Sequence, residues 1–270
     1  DQEECTLMKV SSIQMDMAFS SPDENYRKAE ELIRKAVKDN APDTVVLPET
    51  WNLGFFPREN LYALADKEGE RTKSLLSSLA KELSVNIVGG SVVRSDGEDV
   101  KNTCYVYSRS GELVASYDKT HLFSPMYEDK YFKKGDHLSL FSLDGVKCGV
   151  IICYDIRFPE LVRTMALKGM DVLFVVSQWP KVRIPHLMTL TRTRAVENQM
   201  YLVLSNSAGR AGETQYGGSS IILSPWGEVL ASLEGEKEYI ITATLDMSVV
   251  SDIRNSINVF SDRRPELYNI

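Results

Sequence analysis

Residues 146–160 read Val-Lys-Cys-Gly-Val-Ile-Ile-Cys-Tyr-Asp-Ile-Arg-Phe-Pro-Glu, an apolar run that ends on a cysteine and gives way to polar residues and a proline. Val146–Ile152 has the length and β-branched content of a buried strand. Pro159 suits the first turn of a helix, and the helix expected over Pro159–Lys168 closes at Gly169. Cys153 therefore stands at a strand-to-helix junction. A helix dipole and free backbone N–H groups there favour a thiolate and offer donors for an oxyanion. Free cysteines are commonly buried structural residues, and position alone does not separate the two readings.

The pattern continues on both sides. Downstream come an apolar strand, Val172–Ser177, a longer helix, Ile184–Gln199, and the strand Tyr201–Ser205. Upstream, the strand-like runs Val10–Met15 and Thr44–Leu47 flank a helix ending near Asp39. Ser21-Pro22-Asp23-Glu24 predicts an N-cap, a first-turn proline and a capping-box glutamate for it. A second helical stretch, Glu70–Ser84, leads into the strand Val85–Gly89. Hairpins are expected around Arg109-Ser110-Gly111, joining Thr103–Ser108 to Glu112–Tyr117, and around Pro225-Trp226-Gly227, joining Ser219–Leu223 to Glu228–Ser232. Tyr239–Leu245 is expected to be the last core strand. This alternation predicts an α/β protein whose mixed sheets are covered by helices.

The chain of 270 residues is long enough for a single large domain, expected from Met8 to the C-terminus with residues 1–7 as a tail. No internal repeat or low-complexity linker divides it. The N-terminal Asp-Gln-Glu-Glu-Cys-Thr-Leu is acidic and lacks the basic-then-apolar order of a signal peptide. No apolar run reaches the roughly 20 residues that span a bilayer. The formal net charge of −7 and the absence of a basic stripe argue against nucleic-acid binding. Four cysteines, Cys5, Cys104, Cys148 and Cys153, do not suggest a disulfide framework and suit a reducing compartment. A cytoplasmic protein is the expectation. Cys148 lies at an odd offset from Cys153, so on a strand the two face opposite ways. Cys148 and Cys104 read as core residues and Cys5 as part of the tail.

Two other strand ends carry charge. Glu49, in Leu47-Pro48-Glu49-Thr50-Trp51, has apolar and aromatic neighbours that would raise a carboxylate pKa toward neutrality and suit it to proton transfer. Lys119, in Tyr117-Asp118-Lys119-Thr120-His121-Leu122-Phe123, is placed to hold an oxyanion or to lower a thiol pKa. Each alone is also compatible with a solvated surface residue.

Taken together, Leu47-Pro48-Glu49, Tyr117–Phe123 and Cys153-Tyr154-Asp155-Ile156-Arg157-Phe158-Pro159-Glu160 strongly resemble, in order, the three motifs of the nitrilase superfamily, the carbon–nitrogen hydrolases. The resemblance continues through Arg194–Gln199 and Ser224–Glu228. It implies an α-β-β-α sandwich with a Glu–Lys–Cys triad: Glu49 as general base, Lys119 as oxyanion stabiliser and Cys153 as nucleophile, with the Tyr154 N–H as a second oxyanion donor. It also implies a second glutamate, matched by Glu128 beside Asp129, that positions Lys119 and the substrate. No metal or organic cofactor is implied.

The combination of Cys153-Tyr154-Asp155-Ile156-Arg157-Phe158-Pro159-Glu160 with Gln178-Trp179-Pro180 and His186 is most similar to the omega-amidase branch, which acts on 2-oxoglutaramate and related omega-amides of dicarboxylic acids. Such a substrate needs a cation for its carboxylate, for which Arg157, Arg183 and His186 are candidates, with Tyr127 and Trp179 as pocket walls. The resemblance further implies a homodimer or higher homo-oligomer through Pro159–Lys168 and Ile184–Gln199, with Phe260–Tyr268 crossing to the partner. A nitrilase, carbamoylase or deaminated-glutathione amidase would share the triad. A catalytically silent binding protein is disfavoured by the intact Glu49, Lys119 and Cys153. Three scattered histidines and the lack of HExxH, CxxC, GxSxG, Walker A or GxGxxG patterns disfavour metallo-, serine-hydrolase and nucleotide readings.

Overall fold

Alternation along the strands decides how the layers meet. In Val146–Ile152, Cys148, Val150 and Ile152 pack in one cluster with Val10, Val46, Val88 and Val106. Ile151, facing the other way, packs with Val162, Met165 and Leu187. The first set joins two sheets and the second joins a sheet to helices. The computed structural model describes residues 6–268.

One sheet runs, in spatial order, Tyr239–Asp246, Leu7–Gln14, Thr44–Val46, Asn86–Val88, Asp99–Tyr107, Val92–Asp96 and Asp66–Lys67, with Leu113–Asp118 also paired to Asp99–Tyr107. The other runs Val229–Ser232, Ile221–Leu223, Tyr201–Asn206, Val172–Ser177, Val146–Ile152 and Leu140–Leu143. Leu7–Gln14, Thr44–Val46 and Asn86–Val88 are parallel, and so are Val146–Ile152, Val172–Ser177 and Tyr201–Asn206. Parallel neighbours need crossover helices. Pro22–Asn40 and Glu70–Leu83 cover the first sheet through Ile33, Ala36, Leu76 and Leu79, and Pro159–Leu167 and Ile184–Asn198 cover the second. The result is the expected α-β-β-α sandwich. Hydrogen bonds also cross between the sheets, from Ser12 Oγ to Leu204 O at 2.8 Å and from Ser205 Oγ to Ile13 O at 2.6 Å.

The elements otherwise follow the sequence with local differences. Pro22 opens its helix, but Ser21 makes no side-chain cap, so the capping box is not formed. Asn25 fixes the start instead: its Oδ1 accepts from Ala18 N at 2.8 Å, and its Nδ2 donates to Ala18 O at 2.7 Å and Asn52 O at 3.0 Å. Val92–Asp96, Leu140–Leu143 and the helix Met247–Ser256 are additional to the expected elements. Cys104 and Cys148 are core residues, whereas Cys5 lies outside the described residues. Phe260, expected to cross to a partner, has its ring under Arg163 and Arg254 of its own chain.

Gly90 governs the turn that carries Glu49. It adopts φ +61°, and a Cβ there would stand 2.1 Å from Pro48 O and 2.7 Å from Leu47 O. Gly90→Ala is expected to destabilise the fold by more than about 1 kcal/mol, visible as a lower urea midpoint. An unchanged midpoint would show that the turn relaxes freely.

Candidate active site

Parallel sheets gather the carboxyl ends of their strands along one edge, where open α/β folds place ligands. Cys153 follows Val146–Ile152, and Gln178 follows Val172–Ser177. Glu49 comes two residues after Leu47, itself just beyond Thr44–Val46. Leu113–Asp118, two antiparallel steps from Asn86–Val88, points the same way and delivers Lys119. The Glu49 N–H donates across the sandwich to Ser177 O at 3.4 Å. Residues more than 100 positions apart in sequence thus share one buried cavity, lined by Glu49, Lys119, Glu128, Cys153 and Gln178 among others.

The charged centre is compact. Lys119 Nζ donates to Glu49 Oε1 at 2.9 Å and to both oxygens of Glu128 at 2.9 Å. All three side chains are buried. Burial opposes the ammonium charge, but Glu128 and Glu49 outweigh it and hold Lys119 protonated well above the usual lysine range. The same burial raises the Glu128 carboxyl against the pull of Lys119. The remaining lone pairs have donors: Asn102 Nδ2 gives to Glu49 Oε1 at 2.9 Å, Gln178 N to Glu49 Oε2 at 2.9 Å, and Phe123 N to Glu128 Oε2. Glu49, expected among apolar neighbours, therefore has its oxygens facing three N–H donors. Glu128 rather than exposed Asp129 takes the second carboxylate position.

Cys153 occupies a sharp elbow at φ +48°, the first residue of the 3₁₀ turn Cys153–Arg157 that leads into Pro159–Leu167. The Tyr154 N–H falls in that first turn, where backbone donors have no acceptor within the helix. Asp155 ties the elbow down. Its Oδ2 accepts from Ile152 N at 3.0 Å and Tyr117 OH at 2.7 Å, and its Oδ1 accepts from His121 N at 3.0 Å and Thr120 Oγ1 at 3.1 Å. One buried carboxylate thus joins the cysteine turn to the lysine loop. The thiolate expected at rest is not what this environment favours. Burial pushes the thiol well above the usual cysteine range, Glu49 adds to the rise, and Lys119 only partly offsets it.

The residues expected at the substrate end divide. Arg157, Trp179 and Arg183 line the cavity. The Arg157 guanidinium lies 4.9 Å from the Trp179 ring centroid and that of Arg183 lies 5.0 Å from Phe123. Trp179 Nε1 donates to Arg183 O at 2.8 Å. Tyr127 and His186 do not line the cavity. Tyr127 turns outward at φ +63°, 46% exposed, beside Arg58 and Lys130. His186 is exposed and adjoins the site through Arg157, whose Nη2 is 3.2 Å from His186 Nδ1. Phe55, Phe123 and Met126 form the walls instead. Asn102, mid-strand in Asp99–Tyr107, has no local sequence signal, and the motifs that contain Asp155 and Gln178 do not by themselves reveal what these two side chains hold.

A four-layer sandwich with a buried carboxylate–ammonium–carboxylate cluster facing a thiol has the parts of a cysteine hydrolase: a nucleophile, a base and a fixed cation for a developing oxyanion. The chain belongs to the carbon–nitrogen hydrolase family, whose description matches residues 9–255. It is similar to the 2-oxoglutaramate amidase of Bacillus subtilis (strain 168), 41% identical over 96% of this chain and 98% of that one. It is also similar to a protein named nitrilase from Pyrococcus abyssi, 37% identical over 97% and 99% of the two chains. A solved carbon–nitrogen hydrolase from Helicobacter pylori G27 superposes with a TM-score of 0.91 at 25% identity, covering 97% of each chain.

The protonated resting thiol has a spectroscopic signature. The difference in 240 nm absorbance between wild type and Cys153→Ala is expected to rise only above the ordinary thiol value of about 8.5. Glu49→Gln removes a charge that raises the thiol pKa, so its rise should move to lower pH. A wild-type rise centred at or below the ordinary value would contradict this environment.

Proposed function

We propose that the chain hydrolyses an omega-amide of a dicarboxylic acid, such as 2-oxoglutaramate, to the acid and ammonia through a thioester on Cys153. The observation that carries this reading is a single cavity lined both by the thiol with its charged centre and by two guanidiniums, those of Arg157 and Arg183. Among the described residues neither Arg157 nor Arg183 forms an ion pair. Each is backed by an aromatic face and free to take a substrate carboxylate. The similarity to the Bacillus subtilis 2-oxoglutaramate amidase supports the same substrate class.

The chemistry follows from the geometry. The Cys153 sulfur attacks the amide carbon while Glu49 takes the thiol proton, an order suited to a thiol that rests protonated. Lys119 Nζ and the Tyr154 N–H stabilise the oxygen as it becomes an anion. Glu128, with both oxygens on Lys119, fixes that ammonium in place and helps keep it charged. Glu49, held by Gln178 N, returns the proton to the nitrogen, and the C–N bond breaks to release ammonia. Glu49 then activates a water that attacks the thioester carbon, freeing the acid and regenerating the thiol.

A nitrilase reading is favoured by one observation, the 37% identity to the Pyrococcus abyssi protein of that name. Carbamoylase and deaminated-glutathione amidase readings share the same centre without a comparable observation. We also infer a homodimer through the outward faces of Pro159–Leu167 and Ile184–Asn198, where Leu167 and Val196 are exposed. The described cysteines are free thiols, which suits a cytoplasmic setting.

Ammonia release from 2-oxoglutaramate tests the central reading. Cys153→Ala is expected to lose at least about 10³-fold in kcat. Arg183→Met should raise KM about tenfold with a smaller change in kcat, because a charge-assisted contact is lost. Equal release by wild type and Cys153→Ala would remove Cys153 as nucleophile. Hydrolysis of nitriles in place of amides by the wild type would favour the second reading.

A further inference from the structure

Gln178 uses its backbone and side chain on different partners. Its N–H holds Glu49 Oε2 at 2.9 Å. Its side-chain Oε1 accepts the Thr50 hydroxyl, and Thr50 is in turn anchored by its own N–H on Ser91 Oγ at 2.9 Å. The residues around it are equally fixed, with Ser177 Oγ and Trp179 N both donating to Asn206 Oδ1, at 2.7 and 2.8 Å. One group of Gln178 itself is left over. Gln178 Nε2 is buried without a hydrogen-bond partner among the described residues, in a side chain only 3% exposed that lines the cavity with Cys153. An unpaired buried donor is costly, and in a rigid site it points to an acceptor supplied from outside the chain.

The chemistry of that acceptor follows from what its neighbours serve. Lys119 and the Tyr154 N–H face the reacting amide oxygen, and Arg157 and Arg183 suit a carboxylate. A neutral amide donor suits a neutral carbonyl. Gln178 also adjoins both groups, bonded to Glu49 through its backbone and followed in sequence by Trp179, which carries the Arg157 guanidinium. We infer that Gln178 Nε2 donates to the 2-oxo oxygen of a 2-oxo omega-amide and is a specificity-determining residue for that group. The inference rests on the omega-amide reading above.

The test is the ratio of kcat/KM for 2-oxoglutaramate over glutaramate, the same chain without the oxo group, in wild type, Gln178→Leu and Gln178→Glu. Taking the ratio within each variant cancels any general loss of folding or of Glu49 positioning. Wild type should prefer the 2-oxo substrate, and Gln178→Leu should lower the ratio roughly tenfold, the worth of one buried hydrogen bond. Gln178→Glu, which puts an acceptor where the donor stood, should lower it further. A ratio that stays within about twofold of wild type in both variants overturns the inference while leaving the omega-amide reading intact. A wild type active on glutaramate with no preference for the oxo group also overturns the inference alone. A wild type inactive on both substrates overturns the omega-amide reading with it.

Discussion

The ammonium of Lys119, buried between the carboxylates of Glu49 and Glu128, is the interaction on which the rest of this structure depends. Three charges removed from water are tolerated only when each is paired and its remaining lone pairs are satisfied. Removing one partner of such a set typically costs about 3–5 kcal/mol, because the others are left buried and uncompensated. The donors that complete the set come from separate segments: Asn102 from mid-strand, Gln178 from a strand end in the opposite sheet, and Phe123 from the loop before Glu128. The sandwich must close correctly for these donors to meet, so the charged centre and the fold stabilise each other.

That dependence explains a further buried carboxylate beside the charged centre, Asp155. Asp155 takes no part in the charged centre, yet it accepts hydrogen bonds from the strand before the cysteine and from the loop carrying Lys119. Because both segments share it, the elbow at Cys153 and the lysine loop are tied to each other. His121, whose ring stacks on Phe158 at 3.7 Å between centroids, adds an apolar contact to the same junction. The positive φ at Cys153 is held by this surrounding structure.

The cavity that results is lined by a few charged groups and by the aromatic rings of Phe55, Phe123 and Trp179, the usual composition of a small-molecule site. Its cations are separated by role. Lys119 is neutralised by two carboxylates and faces the thiol, while Arg157 and Arg183 rest on aromatic rings and form no ion pair among the described residues. A substrate with an amide at one end and a carboxylate at the other fits this division of charge.

Much of this was legible in the chain alone. Apolar periodicity, Gly169 and first-turn prolines such as Pro159 mark most strands and helices, because those preferences act over a few residues. The order of the motifs around Glu49, Lys119 and Cys153 specifies the family, since each motif is continuous in sequence. What tertiary structure alone decided is which side chains face the cavity. Tyr127 looked like a wall and is turned out by its left-handed backbone, while Met126 beside it is turned in. His186 looked like a ligand, but it does not line the cavity and its ring nitrogen bonds to Arg157 instead. Asn102 and the unpaired amide of Gln178 gain their meaning from strand ends that meet across two sheets. Local sequence encodes the elements, whereas the direction of a side chain at a strand end depends on turns and partners supplied by distant segments.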